Sequence, residues 1–134
     1  MTVVDASIVV RLLLRGAHDD ALRERFSRER RIHAPTLVDA EVVSAVRGLL
    51  MASSTASKLS PMRAGEMLDD YSSLPLVLHP MQPLQRRVLA LRNNFTAYDA
   101  LYVALSEFLD MPLLTDDRKF AGAPGHTASI ETWG

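Results

Sequence analysis

The chain has 134 residues, of which 48% are apolar and 23% charged, and its formal net charge is −1. That length and mixture fit one soluble domain over residues 1–134, with enough interior to bury a core. The absence of cysteine removes disulfides, a thiolate nucleophile and cysteine-ligated zinc, and it fits a reducing cytoplasm. Near-neutrality argues against a broad nucleic-acid-gripping face, so any such contact has to be local, metal-assisted or shared between subunits.

Thr2 to Asp5 reads as a first strand ending in an acid. Ala6-Ser7 then opens a helix to about Leu14, with Gly16 as its expected stop. A second helix starts at Asp19 or Asp20 and turns Leu22 and Phe26 inward, while RERFSRERR forms a solvated, mixed-charge face. Arg31 to Ala34 is a short strand closed by Pro35. Thr36 is the expected cap of a third helix, with Asp39 completing a capping box. Val38, Val42, Ala45 and Leu49 form its core stripe. Glu41, about 100° round from Val42, flanks that stripe and faces along the rim.

The segment 52–60 is small and polar and reads as a loop or a frayed helix end. Ser60-Pro61 is a cap and first-turn pair for a fourth helix carrying Ala64, Met67, Leu68 and Tyr71 inward. Leu76 to His79 is a third strand, ended by Pro80. Pro83 opens a fifth helix with Leu84, Val88 and Leu91, fading at Asn93-Asn94. The stretch Asn94 to Asp117 organises the rest. Thr96 and Asp99 form a capping-box-like start, and Ala97, Leu101, Ala104, Leu105 and Phe108 recur at helical spacing. Asp110-Met111-Pro112 breaks that helix. Leu113 to Thr115 is then a buried strand delivering Asp116 and Asp117 at its carboxyl end. Phe120 to Gly125 reads as a loop and Ser129 to Thr132 as a last edge strand.

Strands alternating with helices predict a three-layer α/β/α sandwich around a mainly parallel sheet of four to five strands. No apolar run approaches the roughly 18 residues of a membrane span, and the N-terminus leads into a strand rather than a signal peptide. Basic charge is almost all arginine, with Lys58 and Lys119 the only lysines. Arginine suits bidentate phosphate contacts, and genome composition explains it equally well.

Each acid has a structural explanation of its own. Asp5 caps a helix, Glu41 is a surface glutamate, Asp99 completes a cap, and Asp116 and Asp117 shape a turn. Brought to one rim, however, four carboxylates repel and raise one another's pKa unless a cation neutralises them. Oxygen donors without histidine or cysteine nearby in sequence point to a hard ion, Mg2+ or Mn2+, with phosphate completing its shell. His18, His33, His79 and His126 are scattered and read as surface or strand-end residues. On this reading Asp5, Glu41, Asp99 and the Asp116-Asp117 pair meet on one rim at the carboxyl ends of the strands.

The segments VVDASIVVRLLL, TLVDAEVVSAVRGL, FTAYDALYVALSE and PLLTDDRKFA resemble the PIN-domain ribonucleases, and within them the VapC-type toxins of bacterial toxin–antitoxin pairs. The resemblance runs in order from Thr2 to about Gly122. It implies the α/β/α sandwich and metal-dependent RNA cleavage, on RNA of the tRNA or rRNA class. It also implies a four-acid site of Asp5, Glu41, Asp99 and Asp117 on Mg2+ or Mn2+. Asp5, Asp99 and Asp117 are then the metal ligands, and Glu41 holds water or acts as general base. Thr115 and Ser7 support the ligands from behind, and Arg118 and Lys119 are candidate phosphate contacts, a solvated turn being the alternative. The family's last motif is threonine, any residue, aspartate, so Asp116 occupies the variable place and is expected to point away, while the oxygens of Asp5, Glu41, Asp99 and Asp117 are expected within about 4–5 Å of a common point.

A toxin of this kind is expected to be a homodimer held inactive by a small VapB-like antitoxin that places an arginine in the acidic cleft. Met62, Met67, Met81 and Leu84 exceed what one small core needs and suit such interfaces. Two alternatives stand beside this reading. One is a small haloacid-dehalogenase-type phosphatase, which also pairs a first-strand aspartate with a late Asp-Asp. The other is a non-catalytic module that keeps only the fold.

Overall fold

The computed structural model describes residues 1–54 and 58–134. Residues 55–57 of the expected loop 52–60 lie outside the described residues. Five strands form the sheet: β1 (Thr2–Val4), β2 (Ile32–Pro35), β3 (Leu76–His79), β4 (Leu113–Thr115) and β5 (Ile130–Thr132). The helices are α1 (Ala6–Leu14), α2 (Asp20–Ser27), α3 (Leu37–Leu50), α4 (Pro61–Ser72), α5 (Gln85–Ala90), α6 (Ala97–Leu109) and α7 (Lys119–Gly122). Single 3₁₀ turns at Ala17–Asp19 and Gln82–Leu84 lead into α2 and α5.

All pairings in the sheet are parallel, in the order β3-β2-β1-β4-β5. From β1 the chain steps outward to β2 and β3, then returns to the far side of β1 to add β4 and β5. Right-handed crossovers therefore place α1, α3 and α4 on one face and α5 and α6 on the other. The order reverses between β1 and β4. In such sheets the strand ends part at that point and leave a crevice for ligands.

Parallel strands covered on both faces need continuous apolar sequence. Val3, Val4, Leu113 and Leu114 supply it, each at most 1% exposed. Each such side chain contributes roughly 1.5–3 kcal/mol of burial. Against them α6 presents Ala100 to Leu105, buried on every side.

Several local expectations change. The left-handed residue ending α1 is Arg15, φ 54°, and Gly16 follows in extended geometry. Thr36 has helical backbone and makes no side-chain cap, so no capping box forms with Asp39, whose carboxylate instead accepts the Tyr71 hydroxyl at 2.5 Å. The buried stripe of α3 is Val38, Val42 and Val46, with Ala45 and Leu49 on its edge. Leu68 and Phe108 face solvent rather than the core, Phe108 at 73% exposure. Residues 119–122 form α7 where a loop was expected.

His33 is buried within β2, its Nδ1 2.9 Å from Nε2 of His79, so it is neither a surface nor a strand-end residue. Among the four apolar residues expected at an interface, Met67 and Leu84 are core and Met81 packs against it. Met62 stays in solvent. Among the described residues no helix is long and apolar enough to cross a membrane.

Candidate active site

Asp5 follows β1 and Asp116-Asp117 follow β4, so the acids of the two strands flank the point where strand order reverses. Asp5 is 7% exposed. Its Oδ1 caps α1, accepting the Ile8 N–H at 3.2 Å, and also accepts the Ser7 hydroxyl at 2.5 Å. Its Oδ2 accepts the Thr115 hydroxyl at 2.5 Å. Both hydroxyls also tie Asp5 to the opposite strand end. Thr115 Oγ1 accepts the Asp117 N–H at 3.0 Å, and Ser7 Oγ accepts the Asp116 N–H at 3.4 Å. Ser7 and Thr115 thus each bond both the Asp5 carboxylate and a backbone N–H beyond β4.

Burial pushes the Asp5 carboxyl above its usual range, against the lowering of its three donors, and the Asp116 charge adds to the rise. No basic side chain is ion-paired with it among the described residues. Its charge is organised by dipoles alone.

Asp99 lies in the first turn of α6, where the Thr96 hydroxyl accepts its N–H at 3.2 Å. Burial raises its carboxyl as well, and the facing Asp117 raises it further, while Lys119 lowers it. Asp117 accepts the Lys119 N–H at 2.9 Å. Lys119 therefore stands beside the Asp99–Asp117 pair. Arg118 instead lines a hollow with Ala121, Thr132 and Gly134.

Asp116 is turned towards Arg11, 3.6 Å away, whose guanidinium also holds Asp19 at 2.8 Å. This local neutralisation separates Asp116 from Asp117, which has no such partner among the described residues.

Glu41 lies in the second turn of α3. It is held by Tyr102, whose hydroxyl donates to its Oε1 at 2.5 Å. Tyr102 is 2% exposed and belongs to α6. The bond therefore crosses the rim from one helical layer to the other. Burial, then the bond to Glu41, hold the phenol firmly protonated, and the Asp5 and Tyr71 charges act the same way.

Sequence reasoning passed over Tyr102. Its signal is a hydroxyl inside an otherwise apolar stripe, three residues from Asp99 on the same helical face, because a buried phenol needs a partner.

The structure thus joins Asp5 to Asp117 through Thr115, sets Asp99 against Asp117, and ties Glu41 to Tyr102 near Asp5. It does not draw the four acids round one point. Among the described residues, no three carboxylates or imidazoles are placed to hold a single ion. The arrangement is a crevice lined with oxygen donors and short of positive charge.

A family model described as PIN domain matches residues 2–125. Ribonuclease VapC12 of Mycobacterium tuberculosis (strain ATCC 25618 / H37Rv) is 35% identical over 131 residues, covering 98% of each chain. Ribonuclease VapC1 of the same strain is 40% identical over 134 residues, covering 96% of this chain and 95% of its own. Among solved structures, VapBC2 from Rickettsia felis bound to a promoter DNA fragment matches with a TM-score of 0.72 at 16% identity. That match covers 99% of this chain and 98% of the other. A toxin–antitoxin complex from Klebsiella pneumoniae matches with a TM-score of 0.69 at 17% identity, covering 98% and 97%. These structures speak for the fold and the relatives for the family. The family match sets aside the haloacid-dehalogenase-type reading. The chain belongs to the PIN-domain family, among its VapC-type ribonucleases.

Proposed function

We propose that this chain is an endoribonuclease dependent on Mg2+ or Mn2+, the toxin of a pair with a VapB-like antitoxin. It cuts RNA of the tRNA or rRNA class, works as a cytoplasmic homodimer, and uses its 134 residues as one PIN unit. The observation that carries this reading is the excess of carboxylate charge at the rim. Burial raises both Asp5 and Asp99, and Asp117 faces Asp99. Such a crevice favours a cation, and its all-oxygen donor set favours a hard one.

Asp5, Asp99 and Asp117 are the residues that would hold the ion, their side chains closing on it from the separate positions they take without it. When bound, it supplies a lowered pKa for water and a charge that offsets the phosphate's. Asp5 keeps its orientation through Ser7, Ile8 and Thr115, and Thr115 keeps the Asp117 backbone in step with it. Glu41, fixed by Tyr102, takes the proton of the water that attacks phosphorus. The departing ribose oxygen is protonated from solvent. Lys119 offers a charge to a phosphate oxygen beside Asp99.

Family membership supports RNA as the substrate. The fold's likeness to VapBC complexes, including that from Salmonella typhimurium, supports a VapB-like partner. The test is cleavage of total tRNA and rRNA by wild type and Asp99→Asn, with Mg2+ or Mn2+ and with a chelator. Cleavage should vanish with the chelator and with the substitution. Chelator-insensitive cleavage would overturn metal dependence, and no cleavage together with no metal binding would leave the non-catalytic module. An antitoxin arginine in the crevice should make antitoxin affinity fall as metal rises at constant ionic strength. Sedimentation decides the dimer.

A further inference from the structure

Two residues one turn apart on α1 grip Asp116, the acid next to Asp117 in the turn after β4. Ser7 Oγ accepts its N–H at 3.4 Å, and Nη1 of Arg11 meets its Oδ2 at 3.6 Å. Arg11 is itself braced. Its Nε and Nη2 both lie on Oδ1 of Asp19, at 3.1 and 2.8 Å. Asp19 is buried in the 3₁₀ turn that follows α1, so the guanidinium is held from behind with Nη1 left for Asp116. The rigid fork of arginine permits this double contact, which the single ammonium of lysine does not.

Asp116 stays close to the acids all the same. Its charge reaches Asp5, and the Ser7 hydroxyl that takes its N–H also donates to Asp5 at 2.5 Å. The charge of Asp117 reaches Asp99. The turn after β4 therefore brings two carboxylates to one crevice, and among the described residues only Asp116 has a counter-charge. Asp116 keeps 34% of its side chain in solvent, and an ion pair of that exposure adds little to the fold. What the pair changes is which aspartate a cation meets.

We propose that Arg11, braced by Asp19, is a positioning residue: it keeps Asp116 neutralised and out of the crevice, so that the turn after β4 offers the ion one carboxylate, that of Asp117. The proposal deepens the endoribonuclease reading and rests on it. Without Arg11, Asp116 competes for the ion. Binding then tightens, while the ion is drawn off Asp99 and Asp117 and turnover slows.

The test measures Mn2+ binding to the RNA-free protein by calorimetry, beside the rate of cleavage of total tRNA and rRNA at saturating Mn2+. Arg11→Gln should tighten Mn2+ about fivefold, as one more uncompensated charge near a divalent ion does at the dielectric of water. Cleavage should fall about 10- to 100-fold. Adding Asp116→Asn to Arg11→Gln should return both to within about twofold of wild type, and Asp116→Asn alone should stay in that range. Where Arg11→Gln unfolds because Asp19 is left buried without its donors, Arg11→Gln/Asp19→Asn removes that charge and carries the same measurements. Mn2+ bound no tighter by the Arg11 variants, or a loss of cleavage that Asp116→Asn fails to restore, would overturn the proposal, and Arg11 would be a structural tie of α1. So would loss of cleavage in Asp116→Asn alone, because Asp116 would then hold the ion. Wild type that binds Mn2+ and leaves all RNA uncut sinks the endoribonuclease reading alone. The order of Mn2+ affinities still decides the proposal.

Discussion

Two glutamate-or-aspartate sites on the same helix show opposite electrostatic designs. Near the end of α6, Glu107 receives Nε and a terminal nitrogen of Arg87 at 2.7 and 2.8 Å, and the Thr127 N–H at 2.8 Å. The same arginine reaches the Gly125 carbonyl at 3.1 Å. The Arg87 bonds, with those of Thr127, hold the Glu107 carboxyl down at about 2 against the opposing effect of burial. This is a fastening that ties the C-terminal segment to the helix. At the start of α6, burial first and the Asp117 carboxylate after it move the Asp99 pKa up, against the lowering by Thr96 and Lys119. A carboxylate supplied with donors stabilises the fold. One set against its own kind costs stability and leaves room for a cation.

The sharpest way to break this comparison is Asp99→Asn. It should cost on the order of 10²–10³-fold or more in RNA cleavage while leaving the ion-free thermal midpoint unchanged or higher. A variant that lost its fold along with activity would show that Asp99 is a fastening like Glu107.

Next comes Thr115→Val, which removes the hydroxyl shared by Asp5 and the Asp117 N–H. Cleavage should fall about 10- to 100-fold, as for groups that orient ligands. Stability should fall by about 1–3 kcal/mol, because the Asp5 oxygen is left buried without its donor. Steady-state kinetics beside denaturant unfolding separates the two effects. Equal kinetics would show that Asp5 is positioned by Ser7 and Ile8 alone.

Glu107→Gln tests the other side. Losing a charge-assisted pair should lower stability by roughly 1.5–3 kcal/mol and leave specific activity at saturating RNA nearly intact. Large loss of activity in the folded variant would mean that the fastening also shapes the site.

The smallest effect is in pH. Because the folded Glu107 carboxyl lies below its ordinary value of 4.5, its contribution is present above about 4.5 and drains away as pH falls towards about 2. Thermal midpoints of wild type and Glu107→Gln should therefore converge as the solution is acidified through that window. A constant difference would show that the pair does not titrate as a unit with folding.

Much of the fold was legible because it rests on local pattern. Alternating apolar runs and helical stripes gave the element order, and Ser60-Pro61 and Thr96 mark the caps that form. Thr36 misled because a capping box also needs extended backbone at its first residue, and that residue is helical here. Phe108 misled because period alone does not say how wide a helix's buried face is. Helix α6 is buried continuously from Ala100 to Ser106 and emerges just after.

The carboxylates themselves, their place at strand ends and helix starts, and the lack of softer ligands are properties of the chain order. They were available before any coordinates. Strand order was not, because nothing local dictates that β4 inserts beside β1 rather than beyond β3. That choice brings Asp5 within reach of Thr115, 110 residues later. It likewise brings Tyr102 to Glu41 across 61 residues. Hydrogen bonds of such separation depend on how whole layers pack, so sequence spacing carries no trace of them. The same holds for Asp116 and Asp117, alike as neighbours in the chain. Only the fold sends one to Arg11 and leaves the other facing Asp99.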